Sequence, residues 1–330
     1  MSERGIQRLA GALMGVVLAC GSAVLGAGSG GAQPVQGPEL DVPAASLRAA
    51  LTCPPAAHPS RQTVLLVHGT AGDGPTHYGQ GLAKTLSHEG FDWCMVNIPD
   101  REMGDIQTNA EYVVAAVRSI SARTGKQVSV VGYSQGGPLI RWANRWWPDV
   151  RARTDRLITL EGANQGTLAG NFNCVLGKCA PALWQFQPGS AFIKALNRAP
   201  VPTGPVYTAI GSTSDELIRP LQTGENYFIP GNTGGNILIQ DVCPGRIVTH
   251  GMAPFDAVAA AIVVRALSAP GHVRPAAIDK RVCGERFGVG VDPQAAPGAI
   301  AELYASGFTT TWTAPTMVDR EPPLRPYARS

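Results

Sequence analysis

An α/β fold built on one mostly parallel, doubly wound sheet is predicted by three observations. Short apolar, strand-like runs alternate with longer segments of helical periodicity. The pentapeptide Gly132-Tyr133-Ser134-Gln135-Gly136 directly follows one of these runs. Acids and histidines further along fall in loops where strand carboxyl ends belong. The strand-like runs are residues 63–67, 93–97, 128–132, 157–161 and 206–210. The clearest helix between them is 105–123, where Ala110, Val113, Val114, Val117 and Ile120 recur at helical spacing. Such alternation builds right-handed βαβ units, which run the strands parallel and gather their loops along one sheet edge. Residues 168–197 interrupt the alternation with Phe172, Trp184, Phe186 and Phe192 and read as a cap, an insertion at about 168–200; plain core packing of these aromatics is the alternative.

The third run, Val128-Ser129-Val130-Val131, leads into the pentapeptide, and a helix-like stretch over 138–147 follows it. Strand, sharp turn and helix in that order make the nucleophile elbow on which an α/β-hydrolase presents its serine. The turn brings backbone close to positions 132 and 136, where a Cβ would clash, and so exposes Ser134.

In that fold the triad runs serine, acid, histidine along the chain, and of six histidines only His250 and His272 follow Ser134. His250 ends Arg246-Ile247-Val248-Thr249 and precedes an apolar, alanine-rich run of helical length over 255–267, which reads as strand, loop and helix. His272 lies beyond that helix between Gly271 and nearby Pro275 and reads as a solvated loop residue. The formal candidates for the acid are Asp149, Asp155, Glu161, Asp215, Glu216, Glu225 and Asp241. Asp215 is the best placed, because a short Gly-Ser-Thr-Ser loop carries it away from the run at 206–210 to a carboxyl strand end. Glu216 is its nearest rival. Asp149 and Asp155 read as caps or water-facing residues, and Asp241 sits beside Cys243.

A tetrahedral oxyanion needs preorganised donors. The first run leads through His68-Gly69-Thr70-Ala71-Gly72, so Thr70 is expected to supply a backbone N–H and its hydroxyl, and Gln135 the N–H after the nucleophile. His68 precedes the serine and reads as a loop-shaping residue.

These residues carry a resemblance to the Candida antarctica lipase B-like family of α/β-hydrolase lipases. It extends over most of the chain: Leu51-Thr52-Cys53, Leu66-Val67-His68-Gly69-Thr70, Ser134-Gln135-Gly136-Gly137, 150–157, Gly166-Thr167-Leu168-Ala169-Gly170, Ala182-Leu183-Trp184-Gln185, Gly189-Ser190-Ala191, Asp215-Glu216-Leu217-Ile218-Arg219-Pro220, 243–250 and Pro326-Tyr327-Ala328-Arg329. The resemblance implies Ser134 as nucleophile, Asp215 as acid, His250 as base, and Thr70 with Gln135 as the oxyanion hole. It also implies that Leu168, Leu217 and Ile218 line the acyl side of an apolar pocket, plain core packing being the alternative; Trp184, from the aromatic-rich cap stretch, is read as a further substrate contact. Where the family's yeast member has Thr-Trp before the serine, this chain has Gly132-Tyr133, which makes Tyr133 the altered wall of the alcohol side. Residues 299–305 stand in for the helix that borders the family's entrance. The family's last disulfide has no cysteines here to form it.

Composition agrees with one compact domain over 33–330, since 44% hydrophobic and 15% charged residues allow the chain to bury a core of its own. A formal net charge of only +3, without a long basic run interleaved with aromatics, argues against nucleic acid as a partner. No phosphate-binding glycine loop or closely spaced Cys/His cluster points to a nucleotide or metal, so no cofactor is expected. Residues 1–32 read as an export signal: Arg4 and Arg8 precede an apolar run over 9–25, and small residues continue to Ala32. Val17-Leu18-Ala19-Cys20 resembles an imperfect lipobox, so a lipid anchor at Cys20 is the alternative to release. Removal of Cys20 leaves six cysteines, an even set suited to an oxidising compartment. The resemblance implies pairs Cys53–Cys94 and Cys243–Cys283, which leaves Cys174 and Cys179 for a small local loop.

The reaction expected is hydrolysis of apolar esters through an acyl-enzyme by a secreted, monomeric lipase or esterase, acting at a lipid-water interface and without a membrane span in the mature form. A polyester or polyhydroxyalkanoate depolymerase with the same triad is the alternative. A non-catalytic binding module on the same scaffold is a third reading.

Overall fold

Seven strands form the sheet: β1 (Leu51–Thr52), β2 (Val64–Val67), β3 (Trp93–Val96), β4 (Val128–Tyr133), β5 (Thr154–Leu160), β6 (Val206–Gly211) and β7 (Asn236–Leu238). They lie in the order β1-β3-β2-β4-β5-β6-β7, all parallel except the antiparallel pairing of β1 with β3. The computed structural model describes residues 35–218 and 225–329; the predicted export segment and Cys20 lie outside the described residues. All described residues fall within one compact unit.

Every residue of β2 and β4 is buried, as parallel strands covered by helices on both faces require. After β2 the chain adds β3 on one side and then returns to add β4 on the other, pairing Val67 with Gly132. This reversal is a topological switch point, and the crevice at its carboxyl ends is where a doubly wound sheet places its ligands. Five strands fall where the hydrophobic runs predict them. The two edge strands are only two and three residues long, too short for a periodic signal.

The predicted helix spans Ile106–Thr124, started by the Asp105 side chain accepting from Gln107 N and ended by Gly125 at φ 67°. Between β5 and β6 lie three short helices, Ala169–Cys174, Pro181–Gln185 and Ala191–Asn197. Their aromatics divide: Phe192 is fully buried and stacks 4.5 Å from Trp142, Phe186 is buried, and Phe172 is 72% exposed. The C-terminal helix Ala296–Trp312 runs well beyond the predicted 299–305.

Two local expectations are corrected. Residues 246–249 form no strand; they are loop leading into the 3-10 turn His250–Met252. The segment is held by side chains: Arg246 binds Asp256 and the carbonyls of Cys283 and Glu285, and Ser212 donates to Val248 O. Asp149 neither caps nor faces water, because it is buried between the guanidinium groups of Arg118 and Arg153.

The three disulfides join Cys53 to Cys94, Cys174 to Cys179 and Cys243 to Cys283. By chain entropy the two wide loops stabilise by about 4 kcal/mol each and the short one by about 2 kcal/mol.

Candidate active site

Ser134 sits at the switch point with φ 53°, a left-handed corner that a serine holds only under constraint from its neighbours. A Cβ at position 132 would stand 2.2 Å from Gly136 O, and one at 136 would stand 2.4 Å from Val67 O. Both glycines are therefore sterically required. Gly69 is bound by the same contact from the other side, since its Cβ would come within 2.7 Å of Ser134 Cβ. The turn after β2 thus packs against the serine itself.

Three chain segments converge there. His250 Nε2 is 2.9 Å from Ser134 Oγ, and His250 Nδ1 is 2.6 Å from Asp215 Oδ2. The other Asp215 oxygen accepts the N–H groups of Leu217 at 2.7 Å and Ile218 at 3.0 Å, which fixes the carboxyl plane. Burial opposes the Asp215 charge, but the adjacent imidazole and these donors hold its pKa well below the usual carboxylate range. Tyr133 braces the ring from beneath: its hydroxyl donates to His250 O at 2.8 Å and the two rings stack 5.0 Å apart.

Glu216 faces elsewhere. Its carboxylate accepts His250 N at 3.0 Å and the Tyr304 hydroxyl at 2.6 Å, so it binds the backbone of the histidine and leaves the ring to Asp215. A third acid, Glu161, stands at the end of β5 with Oε2 3.3 Å from His250 Nδ1. Among the described residues, Glu161, Asp215 and His250 form the group whose donor atoms are close enough to hold a metal ion, all within 4.8 Å. Nδ1 and Oδ2 already bond each other within it. His272 is exposed in its loop, far from burial of this kind.

The oxyanion candidates lie across the serine. Gln135 is the residue before the helix Gly136–Trp146, so its N–H is among those a helix start leaves without an intrahelical acceptor. The Thr70 hydroxyl donates to Gln135 Oε1 at 2.7 Å, and Gln135 Nε2 donates to Glu102 O at 2.8 Å, tying both loops together. His68 is fully buried beneath them. Its Nε2 accepts from Ile98 N at 3.0 Å, leaving Nδ1–H to meet Gly69 O, and burial lowers its pKa to about 4. It is a neutral strut for the loop. His77 does similar work by accepting Gly69 N at 2.9 Å and packing edge-on to Tyr133.

A cavity of about 310 Å³ opens onto Ser134 and His250. Thr70, Tyr133, Leu217 and Ile218 line it, as do Thr167, Ala169, Leu183 and Phe186 from the segment after β5. Leu168 and Trp184 lie outside this lining; Trp184 donates its indole N–H to Val318 O, and Leu168 is 47% exposed. Sequence reasoning did not find His77, and its entrance helix at 299–305 took in Leu303 and Tyr304 but stopped short of Gly307, Phe308 and Thr311, which the same helix presents to the cavity. Tyr304 reaches Glu216 across 88 residues of chain, a contact for which no local pattern signals.

Comparison with known proteins agrees with this geometry. The chain is 29% identical to lipase B of Pseudozyma antarctica over 307 residues, which is 88% of this chain and 86% of that one. Its fold is similar to the crystal structure of Aspergillus fumigatus lipase B, with a TM-score of 0.79 and 26% identity over 89% of this chain and 73% of the other. The profile of the class 2 lipase family matches residues 61–240, more than half of the sequence. The mostly parallel sheet is thus that of the α/β-hydrolase lipases, and the chain belongs to the class 2 lipase family, whose members are carboxylic ester hydrolases.

Proposed function

We propose that this chain is a secreted serine lipase or esterase that cleaves apolar esters through an acyl-enzyme. The observation that carries the reading is the His250 ring bridging Ser134 Oγ and Asp215 Oδ2 within one buried hydrogen-bonded line. His250 takes the Ser134 proton as Oγ attacks the ester carbonyl, and Asp215 fixes the tautomer and stabilises the imidazolium. The N–H groups of Thr70 and Gln135 receive the oxyanion. His250 then gives its proton to the leaving alcohol, and water attacks the acyl-enzyme by the same route. Leu217, Ile218, Leu183 and Phe186 give the acyl chain an apolar wall.

Two further observations support the wider reading. Three disulfides fit an oxidising compartment. Exposed apolar side chains, Phe172, Val175, Leu176, Phe308 and Trp312, stand on the two segments that flank the cavity. That rim suits a lipid surface, and it equally suits a polyester film, so turnover of polymer films against emulsified triglyceride separates lipase from depolymerase. The reading as a whole is tested by Ser134→Ala, which is expected to fold and to lose several orders of magnitude in kcat. Near wild-type turnover would remove the serine from the mechanism.

A further inference from the structure

Glu161 leaves β5 at φ 46°, the same left-handed corner that Ser134 takes at the end of the neighbouring β4. A long side chain keeps such a backbone only where its surroundings hold it. Its N–H donates to Ile210 O at 2.7 Å, and the side chain is wholly enclosed. No described group donates a hydrogen bond to either carboxyl oxygen, yet Oε2 stands 3.3 Å from His250 Nδ1, and Asp215 shares the same space. Two ionised carboxylates have no proton to place between them, so the charged form of Glu161 would be an acceptor facing an acceptor. As a neutral acid it instead donates to Asp215. Burial, and then the charge of Asp215, push Glu161 well above the ordinary carboxyl range, which agrees with the neutral form.

We propose that Glu161 is a positioning residue of the relay, sharing one negative charge with Asp215 and taking its place beside His250 Nδ1 when the charge at 215 is lost. In that event Glu161 releases its proton to solvent, and its carboxylate accepts Nδ1–H from the distance it already occupies. The inference rests on Ser134 and His250 acting as proposed above.

The test compares kcat and KM on a soluble p-nitrophenyl ester for Glu161→Gln, Asp215→Asn and the double variant, each with its melting temperature recorded. Glu161→Gln alone should lower kcat by less than about 5-fold, because Asp215 still holds the ring. On the Asp215→Asn background the same substitution should cost at least about 10-fold more in kcat with KM unchanged, the coupling expected of two residues serving one role. Asp215→Asn with Glu161→Asp, which keeps a carboxylate, should be faster than Asp215→Asn with Glu161→Gln. A purely structural Glu161 would cost the same factor on both backgrounds, and that equality overturns the proposal. So does an Asp215→Asn enzyme as slow as Ser134→Ala. Undiminished turnover by Ser134→Ala itself would sink the serine reading, and this proposal with it, whatever the Glu161 variants do.

Discussion

Two consecutive carboxylates divide the labour around one histidine: Asp215 bonds the ring nitrogen and Glu216 the backbone nitrogen. Asp215→Asn is therefore expected to lower kcat far more than Glu216→Gln, because the amide competes for the wrong imidazole tautomer and the proposed substitution by Glu161 restores only part of the loss. Rates measured on variants of matched melting temperature check this, and the reverse order would make Glu216 the orienting group. Across the serine, the Thr70 hydroxyl gives its one proton to Gln135 Oε1 and so ties the Gln135 loop; in the proposed oxyanion hole that proton would have to turn from Gln135 to the oxyanion in the transition state. Thr70→Val should cut kcat by about 10²-fold with little change in KM, whereas Thr70→Ser, which keeps the hydroxyl, should stay close to wild type. A loss confined to KM would make Thr70 a ground-state contact instead. Ser134, Asp215 and His250 were legible in the sequence because the elbow has a steric signature and chain order then leaves few partners. Glu161 was visible only as one of several acids between them. What singles it out, its backbone corner and its distance to Nδ1, arises from the pairing of β5 with its neighbours and leaves no trace in local spacing.

At the scale of elements, long and strongly patterned segments were read correctly and short or irregular ones were not. The helix Ile106–Thr124 announces itself through buried positions at helical spacing and a capping aspartate. β1 and β7 hold only a few residues each and depend on a neighbour's edge, and the segment before His250 is fixed by Arg246 and Ser212 rather than by strand pairing. The walls of the cavity followed the same division. Aromatic content alone suggested Trp184, but its indole is tied to Val318 O, while Phe308, on a helix of weak pattern, lines the cavity although 73% exposed. Phe308→Ala should hence change the preference between short and long acyl chains with a stability cost below about 0.5 kcal/mol. Trp184→Ala should do the opposite, lowering the melting temperature by removing a packed ring and leaving the acyl-length profile in place. A panel of p-nitrophenyl esters of increasing chain length, run beside thermal melts of both variants, decides the matter. An altered profile in Trp184→Ala would bring the indole into the substrate's path.

Over the whole molecule, the site is assembled on buried ionisable groups, and their effect on stability has a definite sign. Glu102 holds the Gln135 side chain of the proposed oxyanion hole through its carbonyl, while its own carboxyl group is fully buried and accepts no hydrogen bond from a described donor. It belongs to a run, Asp100, Arg101 and Glu102, held at φ 53°, 51° and 63°, so this strained loop is secured by the fold around it. His68 Nδ1 lies 3.7 Å from Glu102 Oε1. No ion pair forms there, since Nδ1–H meets Gly69 O and burial keeps the imidazole neutral down to about pH 4. Burial accordingly raises the Glu102 pKa well above its ordinary value. With the folded value above the unfolded one, the native state binds the extra proton between the two. The stability linked to Glu102 is complete below the unfolded pKa of about 4.3 and is lost as the pH rises toward the folded value. Glu102→Gln removes that titration while nearly keeping the shape. Its stability relative to wild type should therefore increase by about 1.4 kcal/mol for each pH unit above about 4.3, until the folded pKa is passed. Denaturant melts of the two proteins at pH 4, 6 and 8 measure the difference. If the gap does not change with pH, Glu102 is ionised in the native state and the loop under the oxyanion hole is held by charge after all.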